Sequence, residues 1–207
     1  MTQPIADLHQ FQSQNNLPAL TPTLVIVGQP SGDTSGTPEW DLDSQTIQAM
    51  AGGPLAQMIF YTARSFYEQH ITAAINRAVS DNAAAIVNIS LGECERVAWA
   101  DGGMASDDQL FQMGIAQGRT FVVSSGDSGA NECTAQGGAA GASYPASSPY
   151  VIAVGGTTLY SDSNANYGGE VTWSGTGGSP STLAPARLAS GHRTGFVSRR
   201  TRYRLCR

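Results

Sequence analysis

Short apolar runs alternate with amphipathic segments along most of the chain. Strands are predicted where the runs are rich in β-branched residues, at residues 23–27, 57–61, 84–89, 120–124 and 150–154. Helices are predicted where apolar residues recur with a 3.6-residue period, at residues 43–50, 71–79 and 107–116. Strands separated by helices favour a parallel sheet flanked by helices, and the predicted fold class is therefore α/β.

The pattern changes towards the C-terminus. It weakens after about Ser161, and after Trp173 it gives way to Gly, Ser, Pro and Arg. Residues 187–207 contain no acidic residue and show neither helical nor strand periodicity. We therefore predict an incomplete domain over residues 1–178, followed by a disordered or non-native Arg-rich tail over residues 179–207.

Charge is distributed unevenly. All 11 basic residues are Arg, and seven of them lie in residues 187–207. Residues 1–186 thus carry four Arg against all 16 acidic residues, a net charge of −12. An acidic body suits work at low pH, where carboxylates become neutral, but it equally fits an ordinary soluble surface. The basic tail alone would fit an anionic surface or nucleic acid, and we predict no nucleic-acid partner for the body.

Membrane insertion is not predicted, because no run approaches 18 consecutive apolar residues. The N-terminus is polar and lacks the basic-then-apolar pattern of a signal peptide. If the mature protein is exported, we expect its targeting segment to lie outside this chain.

Two carboxylates four residues apart are the first candidate site. Glu39 and Asp43 would lie one above the other on one helix face. Such a pair can relay a proton, one group removing it while the other orients the first. Close carboxylates also raise each other's proton affinity, which suits acidic conditions. The alternative is a group of acidic side chains that merely favours the start of a helix.

A second candidate, Asp127, follows the strand at residues 120–124 and is flanked by Gly126 and Gly129. Sites in parallel sheets form at the carboxyl ends of strands. A protonated Asp there could donate a hydrogen bond to a developing oxyanion. It could instead simply cap the next turn.

The cysteines and histidines limit the chemistry further. A disulfide between Cys94 and Cys133 would close a loop of 39 residues, worth about 4 kcal/mol, and would imply an oxidising compartment. The alternative is two buried free thiols. No Cys-x-x-Cys or paired His is present, so no zinc site is predicted. The three His are isolated, and a Ser-His-Asp triad is unsupported.

Four motifs, in this order, resemble the sedolisin family of serine-carboxyl peptidases. They are Gly-Thr-Pro-Glu-Trp-Asp-Leu-Asp-Ser-Gln at 36–45, Val-Asn-Ile-Ser-Leu-Gly at 87–92, Val-Val-Ser-Ser-Gly-Asp at 122–127, and the segment 144–158 that ends in Gly-Gly-Thr-Thr. The resemblance covers roughly residues 5–178. It implies a subtilisin-like α/β fold and a secreted, monomeric endopeptidase that cleaves polypeptides at acidic pH.

The resemblance also implies roles for single residues. Glu39 would be the general base, Asp43 would orient it and share its proton, and Asp127 would be the protonated oxyanion donor. A base with a carboxylic pKa is useful only where the solution is acidic.

Substrate contacts and a disulfide follow from the same resemblance. Ser90, Leu91 and Gly92 would form the strand edge that pairs with the substrate backbone. Cys94 and Cys133 would form the disulfide of the family.

The chain departs from the family in two respects. The family's nucleophile lies in a Ser-Gly-Thr-Ser motif well after Gly-Gly-Thr-Thr, whereas residues 174–177 read Ser-Gly-Thr-Gly, too early and with Gly at the attacking position. Calcium is expected for the full-length family, but no calcium ligands are recognised in this chain.

These departures predict a fragment of an acid-acting serine-carboxyl endopeptidase that is inactive alone. A non-catalytic peptide-binding module is the alternative. Shortening a fold with a single core would leave apolar strands unpaired, so poor stability is expected.

Overall fold

The computed structural model describes residues 1–51, 54–134, 137–138 and 140–183. The Arg-rich segment predicted to be disordered lies almost entirely outside these residues. The chain divides into two compact units. Unit 1 comprises residues 1–90 and 109–119, and unit 2 comprises residues 91–108 and those from 120 onwards.

The described residues of unit 1 form three helices and three strands, followed later in the chain by part of a further helix. They are α1 (Thr2–Gln14), β1 (Thr23–Ile26), α2 (Thr37–Met50), β2 (Ile59–Thr62), α3 (Glu68–Asp81) and β3 (Ile86–Ile89). Strands β1 and β2 pair in parallel, with Thr23 opposite Ile59 and Ile26 opposite Thr62. The predicted strand and helix positions in this unit are confirmed to within a few residues, apart from α1 and the start of α2.

Helix α1 was not predicted, because its buried face is only partly apolar. The residues that it buries are Pro4, Leu8 and Gln12, spaced four apart on one side of the helix. The Gln12 side-chain amide donates a buried 2.8 Å hydrogen bond to Gln48 Oε1 of α2. A polar contact thus takes the place of the apolar periodicity that would have indicated the helix.

Helix α2 begins six residues earlier than predicted, at Thr37. Pro38 stands in its first turn, where the missing backbone N–H costs no helical hydrogen bond. The earlier start brings Glu39 into the helix together with Asp43. The face that α2 buries carries Ser44 and Gln48.

Helix α3 agrees with its predicted amphipathic pattern. Ala74, Ile75, Ala78 and Val79 are buried along one face. The helix ends at Asp81 and is followed by Asn82, whose φ of 48° is the left-handed conformation that commonly terminates helices.

Unit 2 holds short strands, helix α4 and the first part of α5. Its elements are β4 (Glu93–Cys94), α4 (Glu95–Ala100), α5 (Gly103–Ala116, in unit 2 as far as Asp108), β5 (Thr120–Ser124), β6 (Ser143–Tyr144), β7 (Ile152–Val154), β8 (Thr157–Ser161) and β9 (Tyr167–Thr172). Strands β5 and β7 are parallel, and β4 pairs antiparallel with β6. The α/β prediction is confirmed.

The β8–β9 hairpin was not predicted. Its strands are antiparallel, with Leu159 opposite Glu170 and a register shift near Tyr160. Strand β9 contains Gly168 and Gly169, which have low strand propensity, so the strand signal was weak.

The interior of unit 2 is built around β5 and a disulfide. Phe121 and Val123 project from the buried side of β5 and are almost fully enclosed. A disulfide joins Cys94 to Cys133, with their Cα atoms 4.6 Å apart. No helix in the described part of the chain is long and apolar enough to span a bilayer.

A partly buried polar cluster lies in unit 2. The Tyr144 hydroxyl lies 3.2 Å from both Met104 O and Asp108 Oδ1, and Ser148 Oγ donates to the same carboxylate oxygen at 2.6 Å. Burial raises the pKa of Asp108, and the hydrogen bonds from Ser148 and Tyr144 partly oppose that rise.

Candidate active site

Helix α2 carries the two carboxylates of the first candidate site. Glu39 is exposed and Asp43, one turn further on, is half-buried. Between them Trp40 packs against Phe60 of β2, with ring centroids 4.8 Å apart. This aromatic contact on the buried side of the helix fixes which way the adjacent carboxylates face.

Strand β3 brings two hydrogen-bond donors to Asp43. Asn88 Nδ2 donates to Asp43 Oδ2 at 2.9 Å, and Ser90 Oγ donates to Asp43 Oδ1 at 2.9 Å. Asn88 Nδ2 also donates to Ser90 Oγ at 3.1 Å. Residues 88 and 90 are two apart in extended chain, so both side chains point to the same side and meet one carboxylate.

The electrostatics of Asp43 combine two opposing effects. Burial raises its pKa, whereas the hydrogen bonds from Ser90 and Asn88 stabilise the ionised form and lower it. Burial is the larger effect, so the net pKa is raised above 3.8. A carboxyl group with this environment can hold a proton in acidic solution while both of its oxygens remain held in position.

Asn88 is a site residue to which the sequence analysis assigned no role. It lies within the Val-Asn-Ile-Ser-Leu-Gly motif, but an Asn in a predicted strand is usually only a weak strand former. The sequence signal for a role of Asn88 was its position two residues before Ser90, which places both side chains on the same side of the chain at the end of a strand. The partner, Asp43, is 45 residues away and cannot be identified from local pattern.

Ser90, Leu91 and Gly92 follow directly after β3. Ser90 belongs to unit 1, where it bonds Asp43, and residues 91 and 92 belong to unit 2. A Cβ atom on Gly92 would collide with the Ser143 side chain and would lie 3.0 Å from Tyr144 O. Only glycine fits this close approach of the backbone to β6.

Asp127 lies three residues beyond the end of β5 and is exposed. The flanking Gly126 and Gly129 have φ values of 101° and 64°, which side chains rarely adopt. Glu132 Oε1 accepts a 2.6 Å hydrogen bond from the backbone N–H of Ser128. The turn that presents Asp127 is therefore held by glycine conformations and by a carboxylate that sequence analysis did not identify.

Residues 174–177, the Ser-Gly-Thr-Gly stretch, lie against this turn. Gly129 N donates to Gly175 O at 2.9 Å, and Gly177 N donates to Gly126 O at 2.9 Å. Thr176 Oγ1 accepts a 2.7 Å bond from Gly156 N. The stretch therefore forms a backbone support for the Asp127 turn within unit 2.

Among the residues that the structure describes, no group of three or more His, Cys, Asp or Glu side chains could hold a metal ion. The calcium that the family resemblance implies would therefore need ligands other than a cluster of these side chains.

Sequence comparison identifies a family and two relatives. A model of the subtilase family matches residues 26–202. Sedolisin from Pseudomonas sp. (strain 101) is 46% identical over 183 residues, covering 84% of this chain and 31% of that protein. Xanthomonalisin from Xanthomonas sp. (strain T-22) is 39% identical over 201 residues, covering 84% of this chain and 24% of that protein. The chain thus spans less than a third of the length of these curated relatives.

Structure comparison agrees with the sequence relatives. The solved structure of Pseudomonas sedolisin, a serine-carboxyl proteinase complexed with two molecules of pseudo-iodotyrostatin, matches with a TM-score of 0.81 and 42% identity. The match covers 88% of this chain and 55% of the solved chain. The expected subtilisin-like fold is confirmed by this match. The chain belongs to the subtilase family and has sedolisin and xanthomonalisin among its relatives.

Proposed function

We propose that this chain carries the proton-handling part of a serine-carboxyl endopeptidase that cleaves polypeptides in acidic, extracellular surroundings. The proposal is supported by the surroundings of the Asp43 carboxylate. This group is half-buried, accepts hydrogen bonds from Asn88 and Ser90, and has a pKa that burial raises. A group of this kind can keep a proton at the pH where a carboxylate base must operate.

In the proposed mechanism Glu39 is the general base. It is exposed on α2, where an attacking hydroxyl can reach it. A carboxylate base is suited to acidic solution. Asp43, one helical turn away, orients Glu39 and shares the proton that Glu39 takes up. Because Asn88 and Ser90 hold both oxygens of Asp43, the shared proton stays near one fixed position.

Asp127 is the proposed oxyanion donor. In its protonated form it would donate a hydrogen bond to the oxygen that becomes negative when the peptide carbonyl is attacked. Its turn is supported by Glu132 and by residues 175–177. Such support matters because oxyanion stabilisation requires a donor that is already in place before the reaction.

Residues 90–92 are the proposed substrate-binding edge. They connect β3 to β4, and their main chain would pair with an extended peptide.

No nucleophile is assigned to this chain, because residues 174–177, which resemble the family's Ser-Gly-Thr-Ser motif, come too early and have Gly at the attacking position. The chain alone is therefore proposed to be inactive. Calcium, a monomeric state and secretion are carried over from the family as properties of the full-length enzyme.

The test is a chimera in which residues 1–178 are joined to the part of Pseudomonas sedolisin that has no counterpart here. We expect hydrolysis of denatured protein at acidic pH. Glu39→Gln and Asp43→Asn should each lower kcat/KM by at least about 100-fold, the scale of general acid–base catalysis. Glu68→Gln, an acidic residue at the start of α3, is the matched control and should leave the rate unchanged.

Two results would contradict the proposal. One is an active chimera in which Glu39→Gln leaves kcat/KM unchanged. The other is hydrolysis by the unjoined 207-residue chain at acidic pH, since that would require a nucleophile within it.

A further inference from the structure

The two backbone N–H groups that follow Asp127 donate their hydrogen bonds to groups other than the Asp127 side chain. An Asp side chain readily accepts hydrogen bonds from the N–H groups of the residues directly after it, and so caps its own turn. Here Ser128 N donates to Glu132 Oε1 at 2.6 Å, and Gly129 N donates to Gly175 O at 2.9 Å. Both of the nearest capping donors are therefore already bonded elsewhere, while Asp127 itself is exposed.

The Glu132 carboxylate lies against the backbone on both sides of Asp127. On one side it accepts the Ser128 N–H. On the other side, a Cβ atom added to Gly126 would overlap this carboxylate, which thus occupies the space that a side chain at position 126 would fill. One carboxylate therefore contacts the residue before Asp127 and the residue after it.

The segment that carries Glu132 is anchored within unit 2. The next residue, Cys133, is fully buried and is joined to Cys94 of β4 by the disulfide. The backbone of the same segment is also bonded, because Gly141 N donates to Ala130 O at 3.0 Å. A supporting side chain on an anchored backbone can hold its partner in a fixed position.

The state of Asp127 that its own turn would favour is the opposite of the state that an oxyanion donor needs. Hydrogen bonds from N–H groups stabilise the ionised form of a carboxyl group. An oxyanion donor must instead be protonated, with its O–H directed at the substrate. Keeping the neighbouring N–H groups away from the Asp127 carboxyl group is therefore a condition for the role proposed for it.

We propose that Glu132 is a positioning residue for Asp127. By accepting the Ser128 N–H, it prevents the Asp127 carboxyl group from folding back onto its own turn, and Gly175 O has the same effect on the Gly129 N–H. The inference rests on the proposed role of Asp127 as the oxyanion donor. Glu132 does not contact the reacting atoms in this scheme and acts through Asp127 alone.

The test follows the Ser128 amide proton of the 207-residue chain by NMR as the pH is varied. An amide proton that bonds a carboxylate shifts when that carboxylate ionises, because the hydrogen bond becomes charge-assisted. Glu132→Ala releases the Ser128 N–H, and we expect its shift then to follow the ionisation of Asp127. Adding Asp127→Asn to this variant should abolish the pH dependence.

Glu132→Gln is the conservative variant, because its amide oxygen still accepts the Ser128 N–H but does not titrate. We expect the Ser128 shift to become independent of pH in this variant, with Asp127 still kept away. Asp162→Ala is the matched control, since Asp162 Oδ1 also accepts backbone N–H bonds within a turn of unit 2. It should leave the Ser128 titration as in wild type.

The chimera with Pseudomonas sedolisin supplies a catalytic readout. Glu132→Ala should lower kcat by at least about tenfold and leave KM close to wild type, because an oxyanion donor acts in the transition state. Glu132→Gln should retain most of the kcat. An inactive chimera would count against the proposed function, whereas the amide titration would still decide the role of Glu132.

Two results would overturn the inference. One is a Ser128 amide shift in Glu132→Ala whose pH dependence is the same with and without Asp127→Asn, since Asp127 would then not have reached the released N–H. The other is an active chimera in which Glu132→Ala leaves kcat unchanged.

Discussion

Asn88 Nδ2 lies 2.9 Å from Asp43 Oδ2 and 3.1 Å from Ser90 Oγ, so one side-chain amide holds both a carboxylate and the hydroxyl bonded to it. The hydroxyl donates to the other carboxylate oxygen. The carboxylate is thus held at both oxygens by one short segment at the end of β3, and this arrangement gives Asp43 a defined orientation within unit 1.

Removing the amide should raise the pKa of Asp43 further. Hydrogen bonds to a carboxylate stabilise its charged form, and Asn88→Ala deletes one of the two that oppose the effect of burial. Carbon-13 NMR titration of the side-chain carboxyl groups in the 207-residue chain measures the change. Asn164→Ala, in the turn before β9, is the control and should not move the Asp43 titration. A lower Asp43 pKa in Asn88→Ala would contradict this account of the site.

Stability should fall as pH rises above the ordinary Asp value. Burial raises the pKa of both Asp43 and Asp108 above 3.8, so the folded chain binds more protons at these groups than the unfolded chain does. Their contribution is fully present below pH 3.8 and is lost as pH rises through the folded pKa values. Urea unfolding between pH 3 and pH 7 measures the trend.

Asp108→Asn should flatten that pH dependence, because the neutral amide no longer titrates. Asp162→Asn is the control of opposite sign, since hydrogen bonds from Asn166 and Asn164 lower the pKa of this exposed carboxyl. The Asp162→Asn variant should still lose stability as the pH rises above 3.8. An unchanged slope in Asp108→Asn would exclude Asp108 as a source of the effect.

Gly177→Ala should distort the Asp127 turn. A Cβ atom at position 177 would overlap the backbone carbonyl of Ser125, and backbone cannot move aside as a flexible side chain can. We expect a loss of about 1–3 kcal/mol in the free energy of unfolding, as for other overpacked sites. Nitrogen-15 amide shifts of Gly126 and Ser128 should change as well.

Gly178→Ala is the matched control for that substitution, because a Cβ atom there meets nothing within 4 Å. It should leave both the free energy of unfolding and the amide shifts of the Asp127 turn close to wild type. Equal effects at positions 177 and 178 would show that the overlap with Ser125 is not the cause.

Loss of the disulfide should strongly destabilise unit 2. The Cys94–Cys133 bond closes a loop of 39 residues, which corresponds to about 4 kcal/mol in the chain-entropy model. The double variant Cys94→Ser and Cys133→Ser should therefore melt at a lower temperature than the oxidised protein. A reducing agent should lower the melting temperature of wild type but leave that of the double variant unchanged.

The pattern of apolar residues was sufficient to predict a helix or strand wherever that element buries a regularly spaced set of apolar side chains. Strand β5 was predicted over the residues where it occurs, and the buried face of α3 follows its apolar period. Both succeed because the spacing of apolar side chains reflects the geometry of one element alone. Helix α1 was not predicted in this way, because one of its buried residues is Gln12. The polar side chain of Gln12 is buried with a hydrogen bond to Gln48 of another helix.

The sequence by itself was sufficient to predict the α/β class and to select Glu39, Asp43 and Asp127 as candidate site residues. Only the tertiary structure brought Asn88 and Ser90 onto Asp43, and residues 175–177 onto the Asp127 turn. The physical reason is that these contacts join segments up to about 50 residues apart. Hydrogen bonds of this kind depend on where complete elements pack, and the composition of either segment alone does not specify them.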